Sequence, residues 1–228
     1  MLRPIAGDDA GLWTIDHPLA MPGGIEMGTR TTVVRLADGA LALLAPGPLG
    51  DDDVAALRAR GPVRAIVAPN AFHHLFLAAA VAAFPDAERH AAKAVCAKYP
   101  ALGLAPLAAT PAPRWAGVLE QVHVDGMPRM DETVFFHPAS RTLVLTDLCF
   151  HVRRAANART KLFLRVAGAW DRFGPSRLAR SMIRDRRALR ASLDRLLAFD
   201  PERIVVTHGD LVERDGREAL RSAFAGVA

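Results

Sequence analysis

The chain has 228 residues, of which 51% are hydrophobic, and it carries a formal net charge of +5. This size and composition are typical of one soluble domain with a full hydrophobic core. The chain lacks the run of about eighteen apolar residues that a membrane-spanning helix needs. Its two cysteines exclude a disulfide framework. Acidic residues near the N-terminus replace the apolar region of a secretory signal, so we expect a cytoplasmic protein without membrane insertion.

The first half of the chain predicts strands followed by alternating helices and strands. Segments 12–19 and 30–46 are β-rich, and an Asp-Gly turn divides the second of them into a hairpin. Segment 51–61 starts with three aspartates, continues with a helical apolar pattern and ends with glycine, as helices do. A continuous apolar run at 63–70 predicts a buried strand, and residues 73–85 predict a helix closed by proline.

The second half repeats this mixture of strands and helices. The proline-rich segment 99–115 predicts a loop, and the pattern over 118–150 predicts a strand pair and a hairpin. Arginine-rich helices follow over 153–195, then a buried strand within 201–212 and a closing helix over 216–227. This order predicts a mixed α/β (α+β) fold, with two sheets or one large mixed sheet covered by helices.

Histidine and aspartate residues stand at the ends of three predicted buried strands. His73 and His74 follow the first of these strands, Asp147 the second and His208 the third. Ligands gather at the carboxyl ends of strands in α/β proteins, because side chains from different strands converge there. Three imidazoles and one carboxylate at one rim form a ligand set for zinc, iron or manganese.

These features together resemble the metallo-β-lactamase fold superfamily, and more closely a branch of it whose function is unknown. The hairpin at 134–150 is similar to the one that usually delivers a Gly-Asp pair, here Thr146 and Asp147. The last strand is similar to the family strand that ends in a metal-binding histidine and a glycine, here His208 and Gly209. The resemblance implies a four-layer αββα sandwich formed as a single domain.

The resemblance covers most of the chain and implies one domain over residues 1–228 with an Arg-rich helical insertion at about 152–198. Segment 69–74 stands where the superfamily has its His-x-His-x-Asp-His signature, but Pro69 and Ala71 replace the first two histidines. The stretch before the hairpin lacks the next histidine as well. The resemblance therefore implies that the first metal site is lost and that one divalent ion, zinc or else iron or manganese, is held at the second site by His73, His74, Asp147 and His208.

A divalent ion with an open position lowers the pKa of bound water and would support hydrolysis of an ester, lactone, amide or phosphoester. His123 and His151 are candidates for the catalytic base or an additional ligand. Arg153 and Arg154 are candidates for binding an anionic substrate, since Arg forks match carboxylates and phosphates. Solvated arginines on amphipathic helices are the simpler interpretation of the Arg-rich segment.

Each candidate ligand also has a structural interpretation. His74 and His208 could bind loop carbonyls, His73 could be a solvent-facing residue at a helix start, and Asp147 could cap the next segment. The sequence favours a mononuclear metal-dependent hydrolase of a small ester, lactone or related substrate. Anionic substrates are included among the candidates. A catalytically inactive scaffold or binding protein is the alternative. A nuclease is disfavoured because it would need two metals, so we expect a small-molecule partner and no nucleic acid, and a homodimer is left open.

Overall fold

The computed structural model describes residues 1–226. The strands of this part of the chain are β1 (Arg3–Pro4), β2 (Leu12–Met21), β3 (Ile25–Arg35), β4 (Leu41–Leu44), β5 (Val63–Ala68), β6 (Glu88–Ala91), β7 (Ala105–Pro106), β8 (Glu120–His123), β9 (Thr133–His137), β10 (Thr142–Leu145), β11 (Phe150–His151), β12 (Phe173–Gly174) and β13 (Arg203–Val206). Its α-helices are α1 (Asp51–Arg60), α2 (Leu77–Ala83), α3 (Lys93–Lys98), α4 (Ala158–Val166), α5 (Arg177–Ser181), α6 (Arg186–Ala198) and α7 (Gly216–Phe224).

The strands form two main sheets. The first contains β1 to β7 in chain order, antiparallel from β1 to β4 and parallel from β4 to β7. The second has the order β13-β10-β9-β8, in which β10 and β13 are parallel neighbours and Leu145 pairs with Val206. Strands β11 and β12 make a separate two-stranded ribbon. The carboxyl ends of β10 and β13 therefore lie side by side.

Alternating side chains separate the layers of the molecule. In β10, Leu143 and Leu145 pack with α6 and α7, while Val144 between them faces the first sheet. In β4, Leu43 packs with α1, α2 and α3, and the neighbouring Ala42 faces the second sheet. Successive residues of a strand point to opposite faces, so this period of two lets one strand serve two cores. The predicted four-layer αββα sandwich is confirmed.

The helices of the predicted Arg-rich insertion at about 152–198 pack in different places. Helix α6 contributes Leu189, Leu193 and Leu196 to the outer core, so it belongs to the sandwich itself. Helix α4 contacts β3 of the first sheet, and Leu164 is its fully buried apolar residue. Helix α4 is thus an addition to the layers, whereas α5, through Ala179, packs in the same outer core as α6.

The helix predicted for residues 73–85 begins only at Leu77. The side-chain oxygen of Asn70 accepts the N–H groups of Phe72 and His73, and this holds the chain after β5 in a turn. His73 and His74 consequently lie before the helix. The predicted closing helix over 216–227 is observed as α7, and residue 227 lies outside the described residues.

No helix within residues 1–226 is sufficiently long and apolar to span a lipid bilayer.

Candidate metal centre

Three side chains from the ends of three strands meet at one point. His73 follows β5, Asp147 follows β10 and His208 follows β13, and one ligand atom of each lies within 4.8 Å of the others. The Nε2 atom of His73 is 3.2 Å from Oδ2 of Asp147, and Nε2 of His208 is 3.7 Å from Oδ1. Ligand atoms around a tetrahedral zinc ion are separated by roughly 3.4 Å, so the three groups need only small rotations to share one ion.

The tautomer of His208 is fixed by the backbone. Its Nδ1 atom is 2.6 Å from the carbonyl oxygen of Gly28. A carbonyl only accepts hydrogen bonds, so Nδ1 carries the proton and the lone pair of the neutral ring is on Nε2. Histidines that bind metal ions usually donate their other ring N–H to a carbonyl or carboxylate in this way, which fixes the orientation of the ring.

Two further buried residues, Asn70 and Glu132, hold Asp147 in place. The amide nitrogen of Asn70 donates to Asp147 Oδ2 at 2.7 Å and to Glu132 Oε2 at 3.1 Å. The Glu132 carboxylate accepts the backbone N–H groups of Thr146, Asp147 and Leu148 at 2.8, 2.9 and 3.0 Å. Asn70 and Glu132 are 0% and 1% exposed, so these hydrogen bonds are shielded from water.

Asn70 and Glu132 are not among the site residues predicted from the sequence. Neither stands in a recognisable motif, since their partners come from distant parts of the chain. Asn70 precedes the two candidate histidines in APNAFHH, and Glu132 precedes the predicted hairpin in MDETVFF. These positions are the signal that could have drawn attention to them.

The charges of the cluster favour an ionised carboxylate beside the imidazoles. Burial alone would raise the pKa of Asp147, but His73, His208 and Asn70 together hold it well below its usual range. Burial lowers the pKa of His73, yet the Asp147 carboxylate outweighs burial and the net shift is upward. Burial lowers the pKa of His208, which therefore remains a neutral ligand. The site attracts a cation, whether a proton or a metal ion.

The structure places His74 outside this cluster, which corrects the predicted set of four ligands. Its Nδ1 lies 3.1 Å from the hydroxyl of Tyr99 and its Nε2 lies 3.1 Å from Nζ of Lys98. Consecutive residues in the turn before α2 point in different directions, so His73 and His74 cannot both face Asp147. The described residues bring together three of the four predicted ligands.

The two histidines predicted as bases occupy other surroundings. Nε2 of His123 is 3.9 Å from both Asp125 and Asp131, and His123 lines a separate cavity of about 170 Å³. His151 directs its Nδ1 to the carbonyl oxygen of Asp210 at 3.1 Å. The backbone N–H of His151 also donates to the carbonyl oxygen of His208, so this residue fixes the segment that carries a ligand.

A largely apolar cavity of about 360 Å³ opens above the cluster. His73, Asp147 and His208 lie at its wall together with side chains from β2, the turn before α2, α4 and α5, among them Met21, Phe72, Leu75, Phe150, Phe163 and Leu178. A second cavity of about 260 Å³ shares His208 and contains Arg153 and Arg154. Arg153 is paired there with Asp210, its Nε lying 2.8 Å from Oδ2.

Comparison with known proteins identifies the fold. No protein-family model and no curated protein sequence matches the chain. Among solved structures, the match to TMB-1 covers 99% of this chain and 96% of the TMB-1 chain, with a TM-score of 0.66 and 13% identity. The mono-zinc form of the metallo-β-lactamase FIM-1 from Pseudomonas aeruginosa covers 100% and 96%, with a TM-score of 0.63 and 14% identity.

The chain has the metallo-β-lactamase fold. A metal-soaked flavodiiron core, Flv1 from Synechocystis, is also similar, with a TM-score of 0.65 and 14% identity, and this chain spans 60% of its length. Identities of this size show the architecture and leave the chemistry to the residues of the site.

Within the metallo-β-lactamase fold, the turn after β5 makes backbone contacts at the two positions where the signature histidines are replaced. The carbonyl oxygen of Pro69 accepts the N–H of Thr133 at 2.8 Å, and the N–H of Ala71 donates to Met130 at 3.0 Å. These bonds tie the turn to the segment that carries Glu132. The residues present fit one metal ion, held by two imidazole nitrogens and a carboxylate.

Gly209 is required next to the candidate ligand His208. Its φ of +101° is one that L side chains rarely adopt, and a Cβ there would overlap the carbonyl oxygen of His151. We expect Gly209→Ala to lower the free energy of unfolding by about 3 kcal/mol or more, since left-handed strain and a backbone clash add up. Urea unfolding of the purified variant measures this change.

Gly117 provides the matched control, because its φ is +80° and no atom of the described residues would lie within 4 Å of an added Cβ. Gly117→Ala should lower the free energy of unfolding by about 1–2 kcal/mol, because only the left-handed backbone conformation is unfavourable for alanine there. Equal losses for the two variants would contradict the proposed clash at Gly209.

Proposed function

We propose that His73, Asp147 and His208 bind one divalent transition metal ion, with zinc as the first candidate and iron or manganese as alternatives. The distances between their ligand atoms, the fixed tautomer of His208 and the buried support of Asp147 favour this assignment. Two neutral imidazoles and one carboxylate leave a divalent ion with a net charge of about +1. Three protein ligands are the number typical of catalytic rather than structural zinc.

We further propose that the protein is a mononuclear metal-dependent hydrolase of a small ester, lactone or related substrate. The observation that carries this proposal is that the three ligands lie in the wall of an apolar cavity of about 360 Å³. When bound, such an ion acts as a Lewis acid and lowers the pKa of water towards neutrality. The cavity walls would hold the apolar part of the substrate and exclude bulk water from the reacting group.

The remaining steps depend on residues of this chain. Asn70 and Glu132 fix the position of the Asp147 carboxylate, so its orientation need not change during the reaction. Arg154, in the second cavity beside His208, is placed to attract a carboxylate or phosphate, and Arg153 could do so by releasing Asp210. His123 lies in a different cavity and His151 is bonded to Asp210. Without a nearby histidine as general base, we expect modest turnover.

A catalytically inactive scaffold or binding protein is the second candidate. It is favoured by the replacement of two signature histidines with Pro69 and Ala71. Both candidates imply a small-molecule ligand in the apolar cavity, and neither calls for nucleic acid. We place the protein in the cytoplasm in either case.

Hydrolysis assays on metal-loaded protein test the enzyme proposal. The apoprotein would be loaded with zinc, ferrous iron or manganese and offered chromogenic esters and lactones with acyl chains of two to ten carbons, a range on the order of the cavity volume. We expect turnover that a chelator abolishes and that increases with acyl length, because longer chains bury more apolar surface. Bound metal without turnover of any substrate would favour the scaffold.

A further inference from the structure

Exposed apolar side chains are concentrated around the mouth of the large cavity. Among residues 1–226, the exposed large hydrophobic residues other than Met1 are Met21, Phe72, Leu75, Leu162, Val166 and Leu178. Four of them line the cavity, and the other two lie on α4, whose Phe163 and Leu164 line it. We call these six side chains the apolar rim. Scattered exposed hydrophobics are ordinary, but a cluster of them marks an interaction surface.

Helix α4 carries two adjacent stripes on its exposed side. Leu162 and Val166 are 64% and 63% exposed and are four residues apart, so they lie on one face of the helix. Lys161 and Arg165 precede them with the same spacing and are also exposed. An apolar stripe next to a basic stripe is the pattern of helices that lie in the interface of an anionic bilayer.

The electrostatic surroundings of the rim are strongly basic. Helices α4 and α5 and the segment between them, residues 158–181, have six arginine and lysine residues and one acidic residue. Arg177, beside the 64% exposed Leu178, is exposed on α5. A cationic surface of this kind is complementary to anionic lipid headgroups. The apolar rim and its basic neighbours thus combine the two features that bind a membrane surface.

We infer that the apolar rim and the basic stripe of α4 dock the protein on the surface of an anionic lipid bilayer, with the mouth of the cavity facing the lipid. Rim side chains such as Leu75, 68% exposed, would enter the boundary between headgroups and acyl chains. Lys161 and Arg165 would lie at the level of the phosphates. An amphiphilic ligand could then pass from the bilayer into the apolar cavity without crossing water.

Sedimentation with vesicles tests this inference and requires neither metal nor turnover, so it stands apart from the proposed hydrolase. The probes are vesicles of phosphatidylcholine alone and vesicles with one third phosphatidylglycerol. We expect binding to the anionic vesicles that decreases with salt. Lys161→Gln/Arg165→Gln should weaken binding by roughly twenty- to thirtyfold, because each basic residue near an anionic surface contributes about fivefold. Leu162→Ser/Val166→Ser should weaken binding at high salt as well.

Arg217→Gln/Arg221→Gln is the charge-matched control, because both residues are about half exposed on α7. This control should bind like the parent protein, and thermal unfolding confirms that every variant is folded. The inference is overturned if the parent protein does not bind anionic vesicles, or if the control loses as much binding as the α4 variants. It is also overturned if the rim is covered by a second copy, seen as a dimer that Leu162→Ser/Val166→Ser converts to a monomer without lipid.

Discussion

Replacing His208 with alanine should abolish the binding of one equivalent of transition metal. The ring supplies Nε2 to the cluster and is fixed there by Gly28, so alanine removes both a ligand and its support. We expect the affinity to fall more than about 100-fold, since even second-shell changes cost 10- to 100-fold. Metal analysis of dialysed protein and competition with a chromophoric chelator measure this change. Affinity should also decrease as the pH falls through the raised pKa of His73, because the proton competes with the ion.

His74→Ala is the matched control for this experiment. His74 is adjacent to a ligand in sequence, but its ring contacts Tyr99 and Lys98 instead of Asp147. Alanine at this position should leave the metal stoichiometry unchanged, whereas His73→Ala should behave like His208→Ala. A protein in which His74→Ala loses metal while His73→Ala retains it would refute the assignment of ligands.

Glu132→Ala should be among the most destabilising single substitutions in the chain. The carboxylate is 1% exposed and accepts three consecutive backbone N–H groups as well as the Asn70 amide. Alanine leaves those donors buried without partners, and removing one side of a buried charged network costs about 3–5 kcal/mol. Urea denaturation gives the loss in the free energy of unfolding. Metal affinity should decrease too, because the Asp147 backbone is no longer held.

Two further substitutions serve as comparisons for the destabilisation expected from Glu132→Ala. Glu218→Ala removes a carboxylate that is 60% exposed and paired with Arg221, and it should cost less than about 1 kcal/mol. Glu132→Gln should recover only part of the loss, since its NH₂ group would oppose the N–H donors at 146–148. If Glu132→Ala were as mild as Glu218→Ala, the bonds to this segment would be dispensable.

Local patterns in the sequence determined most of the secondary structure and the layers. The apolar run of β5, the hairpin of β9 and β10, and the buried strand β13 were all predicted near their observed positions. The strand patterns predicted two sheets or one large mixed sheet covered by helices, because a strand with two apolar faces must be covered on both. The four-layer order was implied by the resemblance to the metallo-β-lactamase superfamily. The start of α2 was wrong by several residues, because the Asn70 side chain captures two N–H groups and favours a turn.

The candidate site was predictable only in part. Residues at strand ends pointed to His73, Asp147 and His208, since parallel neighbours such as β10 and β13 end at the same edge. Adjacency in sequence also suggested His74, which the structure places against Tyr99. Adjacency in sequence does not show in which direction each side chain points. Two neighbouring histidines therefore cannot be assigned to one site before the backbone conformation is known.

The sequence by itself determined the succession of strands and helices and the strand ends at which polar side chains gather, because these depend on short-range apolar periodicity. Only the tertiary structure decided that three of these side chains meet, that Asn70 and Glu132 support them, and that the arginine-rich helices place an exposed apolar rim around a cavity. The physical reason is that the bonds of Asn70 to Glu132 and Asp147, and that of His208 to Gly28, join residues 62 to 180 positions apart. Their geometry depends on how whole layers pack, which no local pattern encodes.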